Sequence, residues 1–181
     1  MNDQFWWFVV RSTGLVALVL LAVGVIGGLL LSTRVLGRQP RPDWVLDWHR
    51  FVGGLTVIFV ALHMAALLAD SYIEFRVVDL IVPFVSSWRP FAVGLGVLAF
   101  HLLLAVEISS LVRRRLSGTV WRRIHYVSLP AFVLSTLHLL LAGEDASNTL
   151  VLLGVGMLVG VIAVLSFVRF RHGRNAVPVD G

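Results

Sequence analysis

The 181-residue chain has no cysteine and no lysine, and only 14% of its residues are charged. Lack of cysteine excludes disulfides, thiolate-ligated iron–sulfur clusters and any prosthetic group attached through a Cys-x-x-Cys-His motif. It leaves the redox compartment open, since there is no thiol to hold in either state. Scarcity of charge excludes an ordinary soluble domain: 58% of the residues are hydrophobic, and they fall in runs of about twenty, the length that crosses a bilayer. Low-complexity tracts, internal repeats and a second domain are also missing. The formal charge of +5, with all fifteen basic residues arginine, suits the cytoplasmic rim of a membrane protein better than a nucleic-acid surface.

What is present is a series of five expected spans, at about residues 13–33, 46–69, 91–112, 124–142 and 150–168, within a transmembrane domain covering 13–170. Ahead of them, residues 1–12 carry Phe5-Trp6-Trp7-Phe8, aromatics that favour the headgroup layer and mark an interfacial segment. The lack of early basic residues argues against a signal peptide. A link at 34–47 holds Pro40 and Pro42. A second link, Asp70 to Pro90, includes the apolar piece Asp79–Phe84, too short to span and suited to the interface; Pro90 fits the first turn of the next helix. Residues 171–181 read as a basic, disordered tail. With the N-terminus outside, twelve of the fifteen arginines fall on cytoplasmic segments, leaving Arg11, Arg76 and Arg89 outside beside Asp70, Glu74, Asp79, Glu144 and Asp145. This bias predicts an all-α, five-helix transmembrane bundle, N-terminus outside and C-terminus cytoplasmic, in the plasma or inner membrane of the cell.

The second and fourth spans then run parallel, and each has a histidine near both ends. His49 and His63 are fourteen positions apart, His125 and His138 thirteen, so each gap is roughly 20 Å along a helix axis. One intramembrane histidine is readily explained by a hydrogen bond to a neighbouring helix. Four, matched in depth on parallel helices, point to coordination. Pairing His49 with His125 near the cytoplasmic face, and His63 with His138 near the outer face, supplies axial ligands for two non-covalent b-type haems; filling both axial positions favours electron transfer over ligand binding at iron. Fourteen residues return a helix to within about 40° of its starting face, whereas thirteen miss by about 140°. A kink or local unwinding is therefore expected at Pro130, which has no backbone donor.

Around these pairs, Gly53 stands one turn from His49, where a missing side chain admits either a porphyrin face or a neighbouring helix. Arg50, with Arg122 and Arg123, flanks the inner pair and Arg89 the outer one, as candidate partners for haem propionates; topology alone also accounts for such arginines. Phe59 and Phe132 sit at intermediate depth and suit core filling. His101 is expected as a hydrogen-bonded interior residue, Glu107 as the partner of an arginine, and His172 as solvated. No catalytic residue is assigned.

Trp48-His49-Arg50-x-x-Gly53 through His63, followed by Trp121-x-x-x-His125-Tyr126 through His138, resembles the ferric reductase-like transmembrane domain, over roughly residues 46 to 142. Trp88-Arg89-Pro90 and Ile108-Ser109-Ser110 with its following arginines add to the likeness. That superfamily includes NADPH oxidases, ferric reductases and the haem-binding membrane subunit of a methionine sulfoxide reductase system. The resemblance implies electron transfer across the membrane through two b haems, ligated at His49, His63, His125 and His138. Larger members have a sixth helix and a flavin- and nicotinamide-binding domain; no Gly-rich phosphate loop or dinucleotide fold is found in this sequence. The donor is therefore expected to be a separate flavoprotein reductase or quinone, and the acceptor an extracytoplasmic redox protein, ferric iron or oxygen, with membrane lipid around the chain and no nucleic-acid partner. Two readings from other classes compete: a non-redox anchoring or assembly subunit, and a haem carrier or sensor.

Overall fold

A computed structural model describes residues 3–33 and 43–174, with side chains from residue 5 to 33 and from 43 to 171. The arginines at 34, 38 and 41, the proline-containing link, the His172 side chain and residues 175–181 lie outside the described residues. Among those described, the regular structure is all helical: α1 (Asp3–Thr33), α2 (Asp43–Ala69), α3 (Val77–Ile81), α4 (Pro90–Leu111), α5 (Gly118–His125), α6 (Ser128–Ala142) and α7 (Thr149–Arg174), with short 3₁₀ turns at Arg113–Arg115 and Glu144–Ser147. Five stretches are long and apolar enough to cross a membrane: α1, α2, α4, α5 with α6 taken as one span (Gly118–Ala142), and α7.

Helix ends follow local chemistry. Pro90 occupies the first turn of α4, where its missing N–H has no intrahelical partner to lose. Ser117 accepts from the Val120 N–H at the start of α5, and Asn148 Oδ1 accepts from Leu150 and Val151 at the start of α7, each satisfying first-turn donors that a bilayer cannot solvate. Buried hydroxyls turn back onto their own helices: Thr56 donates to the Val52 carbonyl and Thr136 to that of Phe132, so neither is left as an unpaired polar group. The apolar piece in the 70–90 link forms α3, where Asp79 accepts from the Arg76 N–H at 2.9 Å and from its guanidinium at 3.0 and 3.1 Å. That guanidinium holds the Asp79 carboxyl below the usual carboxylate range.

Two helix ends differ from the spans expected above. α1 begins at Asp3, so the aromatic segment is the first turns of the helix itself. The reason is pairing: Trp7 Nε1 donates to Glu144 at 2.8 Å, and the Arg11 guanidinium, 3.9 Å from the Trp7 ring centre, grips Asp145. α7 continues to Arg174, past the expected start of the tail.

α1 is the centre of the bundle. It packs along α2, against α7 and against α6, while α4 packs on α6 and α5. The α1/α6/α7 seam forms the apolar core of Leu18, Ala22, Val25, Leu29, Phe132 and Ile162, which gives Phe132 its core-filling role. By contrast, α2 has no extensive backbone packing against α5 or α6. The gap between them is where the histidines meet.

Candidate functional site

His49 and His125 come together with ring centroids 6.0 Å apart and planes crossed at 66°. His63 and His138 do the same at the opposite end, 6.4 Å apart and crossed at 80°. The two histidine-bearing spans are therefore parallel, and the pairing is by depth, as the spacing predicts.

The backbone departs from a regular α-helix just before Pro130, which offsets part of the thirteen-residue mismatch. α5 stops at His125, and the chain tightens through two i→i−3 bonds, Val127 N–H to Ile124 at 3.0 Å and Leu129 N–H to Tyr126 at 3.3 Å, before regular spacing resumes with Ala131 N–H to Val127. Pro130 has no N–H with which to claim the Tyr126 carbonyl, so Leu129 takes it. Such 3₁₀ turns wind about 20° further per residue than an α-helix, advancing His138 toward the face that His125 uses.

The His63 and His138 rings are held from outside their own helices. His63 Nδ1 lies 2.9 Å from the Val10 carbonyl on α1, and His138 Nδ1 lies 2.8 Å from the Ala92 carbonyl on α4. A carbonyl can only accept, so each Nδ1 carries the proton and each Nε2 keeps its lone pair, the tautomer that binds a metal. Glycines permit this closeness. A Cβ added to Gly14 would lie 3.0 Å from His63 Nδ1, and one added to Gly96 would lie 2.8 Å from His138 Nδ1. Both rings border a cavity of about 240 Å³. Its lining is mainly apolar, including Leu18, Val60, Val97 and Leu103, and it reaches Trp7, Arg11 and Trp88.

The other pair is built differently. His49 packs near Gly27 and Gly28 of α1, while His125 stacks on Trp121 (4.9 Å, 26°), which in turn lies under the Arg113 guanidinium at 4.3 Å. His49 faces the Gly24 backbone carbonyl of α1, whereas His125 Nδ1 is buried without a hydrogen-bond partner among the described residues.

Of the flanking residues, Arg50 is exposed and pairs with Asp47 at 3.3 Å. Arg89, in a left-handed conformation (φ 40°), donates to the Leu141 carbonyl at 2.9 Å and lies over Trp88, closing the last turn of α6 three residues beyond His138. Gly53 faces α4, where an added Cβ would lie 2.5 Å from Glu107 Oε1. Glu107 lies against that glycine, and among the described residues no arginine pairs with it. His101 lies on the exposed face of α4 beside Phe100, away from both pairs. Sequence reasoning missed Gly14, Gly96, the Val10 and Ala92 carbonyls, and the Trp7–Arg11–Glu144–Asp145 cluster at the mouth of the gap. In that cluster the Arg11 guanidinium keeps the Asp145 carboxyl below its ordinary range.

The donor set distinguishes between kinds of metal site. Among the described residues no three His, Asp or Glu side chains gather as a metal cluster, so each site offers a metal two imidazoles. A bare ion takes four or more ligands; two axial imidazoles suffice where a tetrapyrrole supplies the equatorial four. With a metal–imidazole bond of about 2.0 Å, rings facing one metal from opposite sides have centroids about 6 Å apart. The observed 6.0 and 6.4 Å fit.

The model of a family described as ferric reductase-like transmembrane component matches residues 13–136, a stretch containing His49, His63 and His125 and ending two residues before His138. The haem-binding subunit MsrQ of protein-methionine-sulfoxide reductase from Rhodospirillum rubrum is 30% identical over 131 residues, 70% of this chain and 61% of that relative. The chain thus spans about three fifths of the length of the curated relative it matches. No solved structure matches it.

Proposed function

This chain belongs to the ferric reductase-like transmembrane component family, and from that premise we propose that it is the haem-binding, electron-transferring subunit of a membrane oxidoreductase system. It is a multi-pass membrane protein, with five helices long and apolar enough to span. The observation that carries the reading is the pair of facing imidazole sets at 6.0 and 6.4 Å. His49 with His125, and His63 with His138, are the ligands of two b-type haems, which when bound supply one-electron redox chemistry.

The chain's own residues do the rest. The Val10 and Ala92 carbonyls fix the rings of His63 and His138 and direct their free nitrogens inward. Two histidines would hold each haem, an arrangement that would favour electron transfer over binding of a small molecule at iron. The fourteen residues between His49 and His63 separate the two sites by roughly 20 Å along α2, so an electron moves most of the way across the bilayer between them. The arginine distribution supports an N-terminus outside and a C-terminus inside, which puts His49/His125 on the cytoplasmic side and His63/His138 on the outer side. Electrons then flow from a cytoplasmic flavoprotein or from quinone toward an extracytoplasmic redox protein, ferric iron or oxygen.

Absorption spectroscopy of the purified chain with haem extraction tests this. Two low-spin b haems per chain are expected, and His63→Ala removes one while preserving the other's spectrum. A colourless, stable and folded preparation overturns it.

A further inference from the structure

Glu107 is unused by this reading. It lies in the last turns of the α4 span, half-buried, and among the described residues no hydrogen bond or ion pair reaches its carboxylate. An acidic side chain within a membrane is costly unless it works or is paired. Its neighbour is the bare backbone of α2: a methyl group added at Gly53 would lie 2.5 Å from Oε1 and push the carboxylate aside. Gly53 is four residues from His49, about 6 Å along the helix. The carboxylate thus lies about one helical turn from His49, on the mid-membrane side of the His49/His125 site.

Among the described residues, the charged groups on the surrounding elements make no ion pair with it. α2 carries His49, flanked by Asp47 and Arg50, which are exposed and pair with each other. Arg122, Arg123 and His125 are on α5; in the turn that follows α4, Arg113 lies over Trp121 while Arg114 and Arg115 are exposed. The charges on α3 and its cap, Asp79 and Arg76, are at the opposite end of α4 and satisfy each other; α6 contributes only His138, also at that opposite end.

We propose that Glu107 is a redox-linked proton acceptor for the His49/His125 site. An electron arriving there from the donor adds negative charge one helical turn from the Glu107 carboxylate, in a medium that screens poorly. One proton from solution then bonds to a Glu107 oxygen, giving the neutral carboxylic acid; when the electron leaves, the O–H bond breaks and the proton returns. One electron and one proton enter together, and no other bond changes. Net charge at the buried site stays constant through turnover.

The inference rests on haem binding by that pair, so haem content is measured first, in the full chain carrying His63→Ala to isolate the site. Absence of haem there refutes the functional reading itself. With haem present, potentiometric titration between pH 5.5 and 8.5 is expected to give a midpoint that falls as pH rises, approaching about 59 mV per tenfold change in proton concentration. Glu107→Gln is expected to flatten this dependence and Glu107→Asp to retain it. A pH-independent midpoint, or an unchanged slope in Glu107→Gln, overturns the proposal. Should Glu107→Gln fail to fold, the reduced-minus-oxidised infrared spectrum of protein with ¹³C-labelled glutamate decides. A label- and deuterium-sensitive carboxylic acid band supports the proposal and its absence overturns it.

Discussion

Replacing Gly96 with alanine tests how the His138 ring is held. The added methyl carbon would lie 2.8, 2.9 and 3.0 Å from Nδ1, Cε1 and Cγ of that ring, where ordinary contacts begin near 3.5 Å. The ring cannot retreat and keep its place, because its Nδ1–H donates to Ala92 one turn earlier on the same helix at 2.8 Å. Overpacking costs about 1–3 kcal/mol, and breaking the hydrogen bond costs a similar amount. A displacement costing about 2 kcal/mol weakens haem retention at this site roughly thirtyfold, at tenfold per 1.4 kcal/mol. The series grades itself. Gly14→Ala meets His63 at 3.0 Å and should do less, Gly28→Ala meets His49 at 3.5 Å and should do little, and Gly54→Ala meets nothing within 4 Å and serves as the control. Haem per chain after purification through a competing haem acceptor reads the order, with visible spectra identifying the site lost. Full retention of both haems in Gly96→Ala, or equal losses along the series, would refute the reasoning.

Two other substitutions give distinct readouts. Pro130→Ala restores a donor for the Tyr126 carbonyl and favours a regular helix, which turns His125 and His138 apart toward about 140°; the spectrum should lose one haem while circular dichroism shows no loss of helix. Asp145→Asn should lower stability at neutral pH by about 1–2 kcal/mol through its bond to Arg11, moderated by the partial exposure of that arginine. Because the folded-state carboxyl sits below its ordinary range, this stabilisation is complete above the normal carboxylate pKa and disappears as pH falls through the lower folded value. Thermal melts of the two proteins should therefore differ at pH 7 and converge in strong acid; a constant gap would show that the contribution is not ionic.

The spans, the parallel pairing and the need for a distortion at Pro130 were legible because each leaves a side-chain signature: apolar runs, histidines in register, an imino acid between them. The bracing of the rings left none. Val10 and Ala92 act through backbone carbonyls, which every residue possesses, and only the glycines opposite the rings, Gly14 and Gly96, hint at close approach. Arg11 and Asp145 are 134 positions apart, so each reads as a lone loop charge until the fold joins them. Gly53 was noticed for its missing side chain, but sequence could not say which neighbour used the space. Glu107 occupies it.

Each histidine pair takes one ring from α2 and one from the α5–α6 span, while the carbonyls that orient the His63 and His138 rings come from α1 and α4. During synthesis these elements enter the membrane in the order α1, α2, α4, then α5–α6. A half-built chain therefore displays His49 and His63 with no opposing ligand, and no prosthetic group can be gripped from both sides before the fourth span is in. On the proposed haem binding, capture would belong to the end of biogenesis, and a ribosome-released chain truncated after α4 should remain in the bilayer as a colourless precursor.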